Sequence, residues 1–236
     1  GRRPCRRSAG WPRPRDAGTR AILRSGLRHV VVGMLDPHGI VAGRGIRRLC
    51  QAGVRVDVLD DPSVSEFYEP YRTYHQKRRS FVTLKLAVST DGKIAGGSSR
   101  WITGRAARAE VQRLRRRVDA ILIGRRTAVI DNPRLTIRPP HARGRLRMPL
   151  RILLSRSRRI PRHLRLLTDD FAPTWVTPGP VQTVVRRLAN RGIVHLMVEG
   201  GAHAADSFLK RGLVDEIILF VSPKVIGRAG LDAFPQ

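Results

Sequence analysis

A chain of 236 residues with 41% apolar content has room for one large domain or two smaller ones, and it holds no run near the roughly 18 apolar residues of a membrane span. A formal charge of +28 invites a nucleic-acid reading, but the 46 basic residues include only five lysines, the arginines are scattered through every segment, and aromatics make up 5%. That argues against a dedicated nucleic-acid role. Two cysteines, Cys5 and Cys50, exclude a disulfide framework and make a reducing cytoplasm the expected setting, and the arginine-rich start, Gly1 to Gly10, does not resemble a secretory signal.

Residues 1–20 carry Pro4, Pro12, Pro14 and many arginines without periodicity, the pattern of a disordered or degenerate segment. From Ala21, AILRSGL reads as a helix end stopped by Gly26, and HVVVGML as a buried strand. Residues 44–52 predict a helix closing at Gly53, followed by a strand from Val54 to Leu59. This is the end of a small α/β layer. The polar stretch 61–80 reads as a linker helix or connecting arm.

Phe81 to Val88 predicts a strand ending in the turn Asp91-Gly92, and residues 104–117 predict a helix with Ala106, Ala107, Val111 and Leu114 on one face. Four further apolar runs, Ala120 to Ile123, Leu150 to Leu154, Val194 to Val198 and Ile217 to Val221, read as strands. Strands apolar throughout and separated by helices indicate a mostly parallel sheet with helices on both faces. An α/β domain is therefore expected from about residue 79 to the end.

Four places in that domain carry candidate chemistry. The run from Gly192 to Leu209 delivers Gly200 and Gly201 to a turn between a strand ending at Val198 and a helix starting at Ala202, with Glu199 at the strand's mouth. Such a turn cradles a diphosphate on backbone N–H groups, or is simply a tight connection that needs glycine. Ser155-Arg156-Ser157-Arg158, at a strand's carboxyl end, suits the extra ribose phosphate that separates NADPH from NADH, or is a solvated basic loop. In residues 90–104, Thr103 reads as a helix cap and Trp101 as core or as a cofactor wall. Asp131-Asn132-Pro133 is a turn, or with Arg134 and Arg138 a grip for a phosphorylated ligand.

Taken in order, FVTLKLAVSTDGKIA, SRWITG, DAILIGRRT, DNPRLTIR, MVEGGA and GLVDEIILFVSPKVIG resemble the reductase domain of the bifunctional riboflavin-biosynthesis deaminase/reductase family, over about residues 79–236. The resemblance implies a dihydrofolate-reductase-like fold, NADPH as cofactor, and reduction of 5-amino-6-(5-phosphoribosylamino)uracil to its ribitylamino counterpart. By motif position it implies cofactor contacts at Ala87, Trp101, Thr127, Asp131 and the turn Gly201, Ala202, His203, Ala204, Ala205, Asp206 and Ser207. Substrate contacts are implied at Ser99, Arg115, Leu135, Arg138 and Glu199. Ser155-Arg156 stands where the family usually has Asp-Ser, and the 2′-phosphate is assigned to it. The family also implies a homodimer and a small phosphorylated pyrimidine as partner.

Residues 29–60 resemble the tail of the family's deaminase domain, so 21–62 is read as a partial cytidine-deaminase-like remnant and 63–78 as a linker. Of the deaminase's zinc motif only Pro4-Cys5 has a counterpart, Gly18 stands where the second cysteine would be, and one thiolate cannot build a three-ligand catalytic site. No metal and no deaminase turnover are therefore expected, which an ammonia-release assay checks. The chain is expected to be a fragment, ending just after VSPKVIG where the family continues with a final strand.

The expected chemistry is hydride transfer to the first ribose carbon, with the protein acting mainly by positioning. Arg115 and Arg138 would hold the substrate phosphate and Glu199 the pyrimidine or ribose. Asp91 and Lys85 are candidate proton-handling helpers. The alternatives are a reductase of the same fold with another pterin or pyrimidine substrate, and an inactive remnant or basic binding protein.

Overall fold

The computed structural model describes residues 17–38, 43–95, 102–138, 147–157 and 159–233, and the chain divides into two units between Arg72 and Thr73. In the first unit, α1 (Ala17–Arg24) precedes β1 (His29–Val32), and α2 (Arg44–Gln51) precedes β2 (Arg55–Val58), which pairs parallel with β1. The expectation of a buried strand here fails. β1 alternates exposed and half-buried residues and leaves Val31 exposed, because a two-stranded sheet lacks the neighbours that would cover it.

The expected linker is two short helices, α3 (Pro62–Phe67) and α4 (Glu69–Gln76). Asp61 caps α3 by accepting the Ser63 N–H at 2.8 Å, and Pro62 occupies the first helical position, where a missing N–H costs nothing. The division between the units falls inside α4.

The second unit contains β3 (Phe81–Ser89), β4 (Lys93–Ala95), α5 (Arg105–Arg117), β5 (Ala120–Gly124), α6 (Arg125–Asp131), β6 (Leu150–Leu154) and α7 (Arg165–Thr168). It continues through β7 (Thr174–Thr177), α8 (Val181–Ala189), β8 (His195–Val198), α9 (Ala202–Leu209), β9 (Glu216–Ser222) and β10 (Leu231–Asp232). Six strands form one sheet in the order β7-β6-β5-β8-β3-β9, and all of its pairings are parallel. A separate antiparallel pair joins β10 to β4.

Alternation along the strands feeds both faces. On β5, Ala120 and Leu122 meet Val184, Val185 and Leu188 of α8 and Ala205 and Phe208 of α9 within one core, whereas Ile121 and Ile123 join Leu114 of α5, Ala128 of α6 and Leu166 of α7 in the other. This is the architecture expected of continuous apolar strands. At the outer edge, β9 pairs with β3 alone and exposes Ile217, Leu219 and Val221.

One ion pair locks the entry to the sheet. Asp215, just before β9, accepts Arg79 at 2.5 and 2.7 Å, Lys77 at 3.3 Å and the Val82 N–H at 2.9 Å. Burial works to raise this carboxyl's pKa, but the Arg79, Val82 and Lys77 contacts overcome it and hold it below the ordinary value. Replacing Asp215 with Asn is expected to cost about 3 kcal/mol, because it leaves the largely buried Arg79 without its counter-charge. A folded value below the unfolded one means the contribution is present above about pH 4 and is lost as pH falls through the folded value. Urea denaturation of both proteins across that range measures it: the gap should be widest at neutral pH and close in acid.

Candidate active site

Burying a parallel sheet on both faces leaves its carboxyl edge as the natural place for a ligand. There a cleft of about 820 Å³ opens beyond β3, β5, β6, β7 and β8. Its walls include Ala87 after the middle of β3, Gly124 at the end of β5, Leu154 at the end of β6, Gly179 beyond β7, and Glu199 to Gly201 beyond β8.

Three helices begin at this edge: α6 after Gly124, α8 after Pro180 and α9 after Gly201. None of the three has a side chain capping its first turn, so their leading amides are left to be satisfied from the cleft. Gly201 has φ 86° and ψ 110°, a backbone region that residues with a Cβ avoid, and a Cβ placed there would lie 2.6 Å from Thr127 Oγ1. The glycine thus lets the start of α9 and the Thr127 side chain of α6 share one wall. Arg125, Arg126, Arg156, Lys210 and Arg211 add positive charge around the same cleft. Uncapped amides, a bare glycine turn and surrounding cations are what a phosphorylated cofactor requires.

Beside the glycines, Glu199 faces α5. Its carboxylate takes Arg115 Nε at 2.6 Å and Nη2 at 2.7 Å, and Arg115 Nη1 donates to the Thr136 carbonyl at 2.8 Å. The side chains of both are about a tenth exposed or less, at 7% for Glu199 and 11% for Arg115. Burial pushes the Glu199 carboxyl up, but the charge and hydrogen bonds of Arg115, with the Lys85 ammonium behind them, leave it below its ordinary value. Burial lowers Lys85, which lines the cleft; Glu199 pulls against that without cancelling it, and Arg115 adds to the lowering. The cluster is a fixed carboxylate, a fixed guanidinium and an ammonium made easier to deprotonate.

The RibD C-terminal domain family matches residues 80–236, two thirds of the chain and nearly all of the second unit. The chain belongs to that family. The riboflavin biosynthesis protein RibD of Aquifex aeolicus is 35% identical over 234 residues, which cover 89% of this chain and 65% of the Aquifex protein. RibD of Bacillus amyloliquefaciens is 34% identical, with 87% and 62% covered. The chain thus spans somewhat under two thirds of the length of these relatives. Among solved structures, a deaminase/5-amino-6-(5-phosphoribosylamino)uracil reductase of Thermotoga maritima is 32% identical with a TM-score of 0.81, covering 92% of this chain and 65% of that one. RibD of Acinetobacter baumannii, 28% identical, gives 0.83 with 92% and 67% covered.

In this RibD C-terminal domain the cleft gathers Ala87, Thr127, Asp131, Arg156, Glu199, Gly201, Ala202, His203, Ala204, Asp206 and Ser207 from the residues expected in sequence. Ser99, Trp101 and Arg158 lie outside the described residues, as do Pro4 and Cys5. Ala205 is on α9 but points into the core. Ser155 is buried and its hydroxyl donates to the Ser157 carbonyl at 2.8 Å, so of the expected Ser-Arg pair it is Arg156 that reaches the cleft.

Other expectations need correction. Asp91 is not on the cleft: its exposed carboxylate accepts the Ile226 N–H at 3.1 Å and the Gly227 N–H at 2.7 Å, and the Ser89 hydroxyl with these amides lowers its pKa to about 2. A carboxylate so committed is a loop clasp, not a proton donor. Thr103 does not cap α5 with its hydroxyl; Gly104 is the capping residue, and the Thr103 carbonyl accepts Arg108 at 2.8 Å. Of the expected substrate contacts, Arg115, Leu135 and Arg138 do not line the cleft themselves. Arg115 sits behind Glu199, Leu135 buries its side chain in the core at φ 52°, and Arg138 is exposed in the irregular stretch that follows α6.

The sequence reading missed Gly179 to Gln182, which line the cleft ahead of α8, together with Arg125, Arg126, Lys210 and Arg211. Val181, Val184, Val185 and Leu188 at helical spacing behind Pro180 were the available signal for α8.

Proposed function

We propose that the chain is an NADPH-dependent reductase that converts 5-amino-6-(5-phosphoribosylamino)uracil into its ribitylamino counterpart. The observation that carries the reading is the glycine turn at Gly200-Gly201, opening with two other uncapped helix starts onto one cleft that also holds Glu199 and Lys85. The Thermotoga relative, named for this reduction, supports the choice of substrate.

The first amides of α9 and the turn at Gly201 would hold the cofactor diphosphate, with Thr127 and Asp131 of α6 beside it and Ala87 allowing close approach from β3. Arg156 would read the 2′-phosphate, with Arg126 the second guanidinium in range of the same wall. Ser99, Arg138 and the Arg115–Glu199 pair would serve the substrate, and Trp101 the cofactor.

When bound, the reduced nicotinamide supplies a hydride. The open-chain form of the substrate carries a carbon–nitrogen double bond at the first ribose carbon, so its reduction also consumes one proton at nitrogen. Lys85 takes the role that Asp91 cannot: a half-buried cleft ammonium with a lowered pKa, beside a carboxylate that stays ionised, is suited to deliver that proton. Glu199 keeps Arg115 oriented, and the guanidinium retains two of its five N–H groups for a ligand. We also propose that residues 21–62 correspond to the tail of the deaminase domain and that the protein assembles as a homodimer.

The test is consumption of NADPH with the phosphoribosylamino-uracil, compared with NADH at equal concentration. Turnover with NADPH and a strong preference for it are expected. Binding of NADPH without its oxidation would overturn the reading.

A further inference from the structure

Segment 132–138 follows α6 as seven residues without a helix or strand, so its backbone groups must be satisfied from elsewhere. Side chains do this in sequence. The Asn132 side chain accepts the Arg165 N–H at 2.8 Å, Arg151 Nη1 donates to the Arg134 carbonyl at 3.1 Å, Arg115 Nη1 donates to the Thr136 carbonyl at 2.8 Å, and Gln112 Oε1 accepts the Arg138 N–H at 2.7 Å. Between these anchors Leu135, Thr136 and Ile137 are buried.

The last two anchors come from one helix. Gln112 and Arg115 are three residues apart on α5 and share a face, and they hold Arg138 and Thr136, two residues apart on the segment. The segment therefore runs against the direction of α5, and its final fixed point before the exposed Arg138 side chain is a single amide oxygen. Among the described residues the Arg138 side chain makes no hydrogen bond or ion pair, so there the Gln112 contact is what fixes where its guanidinium is presented.

We infer that Gln112 is a positioning residue for substrate binding: its side-chain carbonyl fixes the backbone of Arg138, and thereby the place at which the Arg138 guanidinium meets the substrate's phosphate. This rests on the proposed role of Arg138 and deepens it. Gln112 does not line the cleft and acts on the substrate side through Arg138, so it has no direct part in the hydride step. The acceptor is specific to the chemistry of the side chain. Leucine of similar size removes it, and glutamate restores it in ionised form.

The experiment is steady-state kinetics on Gln112→Leu, Gln112→Glu and Arg138→Ala, with NADPH affinity measured separately by fluorescence. Loss of one hydrogen bond to an exposed anchor corresponds to roughly a threefold to tenfold change. Gln112→Leu should raise KM for the phosphoribosylamino-uracil by that amount with kcat and NADPH affinity unchanged, and Gln112→Glu should return KM to near the parent value. Arg138→Ala should raise KM further, and adding Gln112→Leu to it should do nothing more. A KM left unchanged by Gln112→Leu while Arg138→Ala raises it overturns the inference and spares Arg138. An unchanged KM in Arg138→Ala overturns the role of Arg138 itself. A fall in NADPH affinity with Gln112→Leu would show a general structural effect and also overturn it.

Discussion

Glu199→Gln is expected to lower turnover at least about 100-fold, equivalent to some 3 kcal/mol, while NADPH affinity stays near that of the parent. Glutamine preserves the shape of the side chain and one acceptor oxygen but replaces the other with a donor that faces Arg115 Nη2 or Nε. The guanidinium is then left largely buried with no counter-charge, and breaking such a pair is costly because the surviving ion cannot be solvated. Arg115 also holds the Thr136 carbonyl, so its displacement loosens the segment that leads to Arg138. The loss of negative charge beside Lys85 removes an interaction that favours its protonated form, which lowers its pKa further and leaves less ammonium to act as a proton donor. These effects all fall on the substrate side. Turnover and NADPH titrations on the same preparations check the split, and an equal loss of both would place Glu199 in the cofactor site instead.

Gly201→Ala is expected to act in the opposite way, weakening NADPH binding about 100-fold or more. Two costs combine there. At φ 86° and ψ 110° any Cβ strains the backbone, and the new methyl would lie 2.6 Å from Thr127 Oγ1, so either the start of α9 or the Thr127 side chain must move. The neighbouring Gly200, at φ 92°, shares the first cost but has open space where its Cβ would stand. Comparing Gly200→Ala with Gly201→Ala therefore separates backbone strain from the clash. Adding Thr127→Ala to Gly201→Ala should recover part of the affinity and not all of it. Recovery to the parent value would mean that backbone conformation contributes nothing.

The central sheet was legible because β3, β5, β6 and β8 are covered on both faces and read as largely apolar runs; β1 has the same apolar look with only one neighbouring strand to cover it, which is why its burial was misread. β7 was not, since Thr174 to Thr177 is a four-residue edge strand between Pro173 and Pro178, too short and too mixed to show a period: Thr177 is buried while Val176 is exposed. The Asp131-Asn132-Pro133 signal was real but marked the end of α6, where Asn132 adopts φ 40°, so the turn was visible and the helix before it was not.

At the site, local pattern revealed what is local. The turn from Glu199 to Ser207 is one strand–turn–helix unit, and its residues were found together. The partnership of Glu199 with Arg115 spans 84 positions, and neither residue's neighbours announce it. The same holds for Asp91, whose placement in a polar turn suggested chemistry while its actual partners, Ile226 and Gly227, lie far along the chain. Arginine abundance hid the rest: with basic residues in every segment, only the fold distinguishes Arg126 and Arg156 on the cleft from those on open surface.

The claim beneath all of this is that one cleft brings nicotinamide and sugar together so that hydride passes directly between them. It is tested most directly with NADPH deuterated at the transferable position of the nicotinamide ring and the phosphoribosylamino-uracil, followed by mass spectrometry and NMR of the product. The account predicts one deuterium per product molecule, located on the first carbon of the ribityl chain. A reduced product without deuterium at that carbon, or no reduced product from protein that binds NADPH, would contradict it.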